Sequence, residues 1–146
     1  MSGTLSTSRE IAAGVVMAVL VLAGCGGSGP DQVQITADWE AGTFTAGGDA
    51  AICAAGEHIE AAFADDGEWV DYELVCVDGS GTLVLRAVFE PLTEAQEAGE
   101  DLIDQFVGTW SVTDGTGDYS SAEGGGELVV EFTDGALATY DGELSL

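Results

Sequence analysis

Positive charge is what this 146-residue chain lacks most. Lysine and arginine together number 2, Arg9 and Arg86, against 27 aspartates and glutamates, and the formal charge is −25. A polyanion of this kind is repelled by nucleic-acid phosphates and anionic lipid headgroups, which excludes nucleic acid as a partner. Histidine occurs once, as His58, and none of the 3 cysteines forms a C-x-x-C pair, so a zinc site is not expected. The aspartates in glycine turns (Asp78, Asp114, Asp118, Asp134, Asp141) do not follow the spaced D-x-D-x-D-G pattern of a calcium loop. No metal and no cofactor is therefore expected. The length leaves room for one globular domain plus a processed end and rules out a two-domain enzyme. Charge alone would suggest disorder, but 46% of the residues are apolar, which argues for a packed core beneath an acidic surface.

The apolar run Ile11 to Ala23 carries no charge. As a helix it would span about 20 Å, short of the roughly 30 Å hydrocarbon core, and so reads as a signal-peptide segment, not a membrane span. Directly after it, Leu22-Ala23-Gly24-Cys25 resembles the lipobox of prokaryotic lipoproteins. That resemblance implies a signal peptide over residues 1–24 and a lipidated Cys25 at the mature N-terminus, with the protein held on the outer face of the cell membrane. Two or three acyl chains anchor far more firmly than one. Residues 25–31 then form a short flexible tether, Gly26 to Pro30 reading GGSGP, and residues 32–146 form the domain. Arg9 and Glu10 leave together with the signal, so the mature charge is unchanged and Arg86 is its only lysine or arginine.

Assigning Cys25 to lipid leaves Cys53 and Cys76, an even pair in an oxidising compartment, and predicts a disulfide between them. Closing a loop of about 24 residues contributes roughly 3 kcal/mol through lost chain entropy.

Beyond Asp31 the chain breaks into short runs of period-two alternation separated by Gly, Asp and Ser, the pattern of an all-β fold. Strands are predicted from Ile35, around Thr43 to Thr45, in a weak segment His58 to Phe63, and from Trp69 to Val77. Others follow over Thr82 to Phe89, from Trp110, over Leu128 to Phe132 and over Leu137 to Tyr140. The turn Asp78-Gly79-Ser80-Gly81 joins two of them as a hairpin. About eight strands with little lysine or proline to guard an edge suggest a single small antiparallel barrel. Thr93-Glu94-Ala95-Gln96 has the form of a capping box, and Ala95, Ala98, Leu102, Ile103 and Phe106 share one helical face, which predicts a short helix over the sheet or a barrel end. Gly115 to Gly126 reads as a glycine-rich corner.

Gly108-Thr109-Trp110-Ser111-Val112, Gly115-Thr116-Gly117-Asp118-Tyr119 and Gly124-Gly125-Gly126-Glu127-Leu128 together resemble the glycine-corner signature of allene oxide cyclase, dirigent and related bacterial barrel proteins. At G-T-G-x-Y the glycine allows positive φ and the tyrosine packs as a plug. The resemblance implies a barrel whose interior, in the plant members, holds an apolar substrate. It carries no catalytic residue onto this chain, because the matching segments are turns.

The interior of so small a barrel is either filled by side chains or holds one small ligand. Trp39, Trp110, Tyr72 and Arg86 are the candidate ligand-binding residues. The aromatics, with Trp69, Phe89 and Phe132, line a pocket or form the core. Arg86 fixes an anionic head if its face points inward, or else pairs with a nearby acid. His58 is a general base or, beside Glu57 and Glu60, part of an exposed acidic stretch. The leading expectation is a non-catalytic module at the cell envelope that binds a small apolar ligand or an unspecified protein partner. The alternative is an isomerase or cyclase acting on an apolar substrate inside the barrel, with Arg86 or Tyr72 as polar contacts. A third is a scaffold that presents its acidic surface to a basic partner.

Overall fold

A computed structural model describes residues 29–146. The expected signal peptide and Cys25 lie outside the described residues. Eight strands run β1 (Asp31–Asp38), β2 (Thr43–Gly48), β3 (Ala55–Phe63), β4 (Val70–Cys76), β5 (Thr82–Phe89), β6 (Gln105–Gly115), β7 (Glu123–Glu131) and β8 (Leu137–Ser145). Each pairs antiparallel with the next in sequence, and β8 returns to β1 from Asp38↔Leu137 to Asp31↔Leu144, closing the barrel. The all-β barrel of eight strands read from the alternation is thus the observed architecture.

Alternation decides which side chains fill it. In β5, Leu83, Leu85 and Ala87 are fully buried inside while Val84, Arg86 and Val88 face out. Val33, Ile35 and Ala37 of β1, Leu74 of β4 and Leu128 and Val130 of β7 complete a dry middle. Trp110 shows how a large ring is fitted. It pairs across the ladder with Gly126, which pairs in turn with Gly142, so the indole shares a face with two positions that carry no side chain. Its Nε1–H donates to the Asp141 carbonyl at 3.3 Å.

That packing corrects one expectation. The glycine-rich corner is shorter than Gly115 to Gly126, because Gly124, Gly125 and Gly126 belong to β7 and the turn occupies only the residues before Glu123. A second correction concerns the helix. The capping box forms, with Gln96 N–H donating to Thr93 Oγ1 at 3.2 Å and Thr93 N–H to Gln96 Oε1 at 3.0 Å. Yet α1 covers only Glu94–Glu97 and buries nothing. Gly99 turns out of it at φ +72, and Glu97, Glu100 and Asp101 place negative charge at its C-terminal end, where the helix dipole disfavours it. Leu102 is left 91% exposed, and Phe106 lies in β6, paired with Val130 of β7, instead of sharing a helical face with Ala95.

The antiparallel order gives the barrel two distinct ends. One carries Gly48, the start of β3, Cys76, Thr82, Gly115, Glu123 and Ser145, and the chain enters it at Asp31. The other carries Trp39, Thr43, Phe63, Val70, Phe89, Gln105, Glu131 and Leu137.

The first end is sealed. Cys53 and Cys76 form the expected disulfide, their Cα atoms 5.9 Å apart. Gly117 takes φ +61 and admits Tyr119 as a buried plug. Tyr119 Oη accepts from Cys53 N–H at 3.0 Å and shares a second hydrogen bond with Ser80 Oγ at 2.9 Å. The β4–β5 turn packs backbone to backbone on the segment before the plug: Asp118 N–H donates to Ser80 O at 2.9 Å, and a Cβ at Gly81 would run into the Thr116 carbonyl.

Candidate functional site

The second end is a mouth. β3 pairs with β2 only at Ala55, Gly56 and Glu57, one further bond running from His58 N–H to Gly42 O at 2.9 Å. Beyond that point β3 is held by β4 alone, and Ile59 and Phe63 are exposed. A cavity of about 340 Å³ opens here, walled by Trp39, Val70, Tyr72, Phe89, Leu92 and Phe106, with Glu90 among its lining residues. A smaller recess of about 170 Å³ shares Trp39 and Tyr72 with it and is completed by His58 and Glu60.

Strand ends place these residues. Trp39 follows β1 directly, its backbone N–H donating to Ala136 O at 2.9 Å. Val70 opens β4, Tyr72 is the next inward position of that strand, Phe89 closes β5 and Phe106 is the second residue of β6. The rings brace one another edge to face and at a tilt: Phe89 to Phe106 at 5.8 Å, Phe106 to Phe132 at 5.0 Å and Trp39 to Phe132 at 6.4 Å between centroids.

Beneath the recess lies a polar cluster. His58 is only 6% exposed, and its ring stacks on Tyr72 at 4.7 Å between centroids. His58 Nε2 lies 2.9 Å from Tyr140 Oη. Burial pushes the imidazole down to about 4, so it is neutral at neutral pH. Burial also raises both phenols, with the Glu60 charge adding to the effect at Tyr72 and Tyr72 itself adding to it at Tyr140. With the phenol protonated and the imidazole neutral, the contact is a neutral hydrogen bond whose donor is set by the imidazole tautomer. Trp39 Nε1 is buried without a hydrogen-bond partner; the indole is near enough to Tyr140 to steady its charged form but not in hydrogen-bond geometry.

The residues singled out from sequence thus fall in different places. Trp39 and Tyr72 meet at the mouth. Trp110 is a core residue, 3% exposed. Arg86 faces outward, its Nε and Nη2 donating to Asp71 Oδ1 and Oδ2 at 2.8 and 2.9 Å, with Cζ 3.8 Å above the Trp69 ring. An anchor inside the barrel is therefore not its place; it makes the acid pair named as the other reading. His58 is not part of an exposed acidic stretch. Glu57, its neighbour in an extended strand, points to the opposite face and says nothing about where the imidazole goes. Cys53 and Cys76 lie at the sealed end, and Cys25 lies outside the described residues.

Sequence reasoning missed Phe106, Leu92, Glu60 and Glu90. Phe106 was assigned to a helical face. The signal for Glu60 was present, since it sits two residues from His58 on the same strand face. The arrangement offers an apolar hollow, neutral polar groups at its base and carboxylates at its edge. No protein-family model matches this chain, and no curated protein or solved structure does either.

Proposed function

We propose that this protein is a lipid-anchored barrel on the outer face of the cell membrane that binds one small apolar molecule at its mouth, as a binding module and not an enzyme. The observation that carries this reading is the aromatic-walled cavity of about 340 Å³, a size and lining typical of small-ligand sites. The middle of the barrel is filled by Leu74, Leu83, Leu85, Leu128 and their neighbours, so the ligand sits at the mouth instead of along the axis. The anchor fits the same picture. Five residues separate Cys25 from Asp31, at most about 20 Å of chain. A lipid at Cys25 would hold the sealed end toward the bilayer and turn the mouth away from it. Among the described residues no helix is long and apolar enough to cross a membrane.

Fluorescence titration with the uncharged probe N-phenyl-1-naphthylamine tests the reading. Binding should be saturable and should fall at least tenfold in Val70→Trp, which fills the cavity, while the melting temperature stays within a few degrees. Equal titration of both proteins would contradict it.

A further inference from the structure

The mouth holds negative charge and no positive charge. Arg86 is the only lysine or arginine among the described residues, and Asp71 on the outer wall occupies its guanidinium. His58 at the base of the recess is neutral. Glu60 is not simply a surface acid. It stands directly opposite Tyr72 in the β3–β4 ladder and therefore on the same, inward face, where it lines the recess with Trp39 and Tyr72. Glu90 lines the adjoining cavity beside Phe89 and Phe106. Neither carboxylate has a cation to meet, and the rings between them present π faces whose negative quadrupole attracts positive charge. An anionic ligand would be repelled by both carboxylates and by the surrounding field of a chain at −25.

We propose that the molecule taken at the mouth is a hydrophobic cation, a small amine or quaternary ammonium whose apolar body fills the cavity and whose charged nitrogen lies against the Trp39 and Tyr72 rings within reach of Glu60 and Glu90. This deepens the apolar-mouth reading and rests on it. Contact with aromatic faces favours a desolvated cation by about tenfold in affinity.

The test uses the full chain in neutral detergent, with matched micelle blanks, and two probes of one shape: benzyltrimethylammonium and its uncharged carbon isostere, 2,2-dimethylpropylbenzene. Binding is read from the Trp39 indole N–H resonance, assigned with Trp39→Phe. The cation should bind at least tenfold more tightly than the isostere. In the double variant Glu60→Gln/Glu90→Gln that preference should shrink to threefold or less with isostere binding unchanged; both positions are exposed, so folding is not at stake. A preference that is absent in the wild type, or that survives intact in the double variant and so reflects only the overall charge, overturns the cation proposal and leaves the apolar mouth standing. If neither probe moves the Trp39 resonance, the apolar mouth fails and the cation proposal with it.

Discussion

The two ends of this barrel are built on opposite rules. At the sealed end backbone lies on backbone, a disulfide ties Cys76 of β4 to the segment before β3, and the Tyr119 hydroxyl bonds both the Cys53 N–H and Ser80 Oγ. At the mouth, rings lean on one another across open space, the buried Trp39 N–H has no partner, and β3 runs past its last bond to β2. The first arrangement resists opening, and the second leaves surface and polar groups for something else to satisfy. Stability and recognition are thereby separated along one axis, so a change at one end should register in one observable and leave the other alone.

The largest effect expected from that separation comes from the disulfide. Cys53→Ser with Cys76→Ser should cost about 3 kcal/mol and lower the melting temperature by about 10 °C, measured by calorimetry, while probe affinity at the mouth changes less than twofold. A comparable loss of affinity would show that the ends are coupled.

His58 sharpens the comparison through pH. Its folded-state value is lowered to about 4 while the unfolded chain titrates near 6.5, so the unfolded state binds the proton more readily. The stability held by the neutral imidazole is fully present above about pH 6.5 and is lost as pH falls toward 4, by an amount on the order of 2–3 kcal/mol. The difference between wild type and His58→Gln is the quantity to follow, because it isolates the imidazole. That difference should be steep between pH 6.5 and 4 and flat from pH 7 to 8; a flat difference throughout would place His58 in water.

Tyr119→Phe is expected to be milder. It keeps the plug but leaves the Cys53 N–H without its acceptor, at about 1–2 kcal/mol in urea denaturation, again with mouth affinity unchanged. The smallest effect should be at Arg86. Its pair with Asp71 lies on the outer wall and is screened by solvent, so Arg86→Ala should shift the melting temperature least of these variants and change probe binding not at all. A large loss of binding there would return the arginine to the site.

How legible this was from sequence follows the same division. Period-two alternation carried β5 residue for residue, because Leu83, Leu85 and Ala87 obey one local rule. The plug was legible in Gly115-Thr116-Gly117-Asp118-Tyr119, because positive φ is a property of a single residue. The mouth was not, because it is made from strand ends that meet only after closure: Trp39, Tyr72, Phe89 and Phe106 come from four different strand regions. Phe106 was misread because its spacing from Ala95, Ala98, Leu102 and Ile103 suits a helix, and nothing local reveals that β7 offers Val130 as its partner. Arg86 and His58 could both have been oriented by strict alternation. Arg86 shares its face with Val84 and Val88, opposite the more deeply apolar Leu83, Leu85 and Ala87, and His58 shares its face with Gly56, where the glutamates around the histidine drew attention from the period.

The central claim, that recognition belongs to the mouth and closure to the opposite end, is tested most directly by intermolecular nuclear Overhauser effects from bound 2,2-dimethylpropylbenzene. Cross-peaks to Trp39, Phe89 and Phe106 with none to Tyr119 are the predicted result. Cross-peaks to Tyr119, or to outer-wall residues such as Val84 alone, would contradict it.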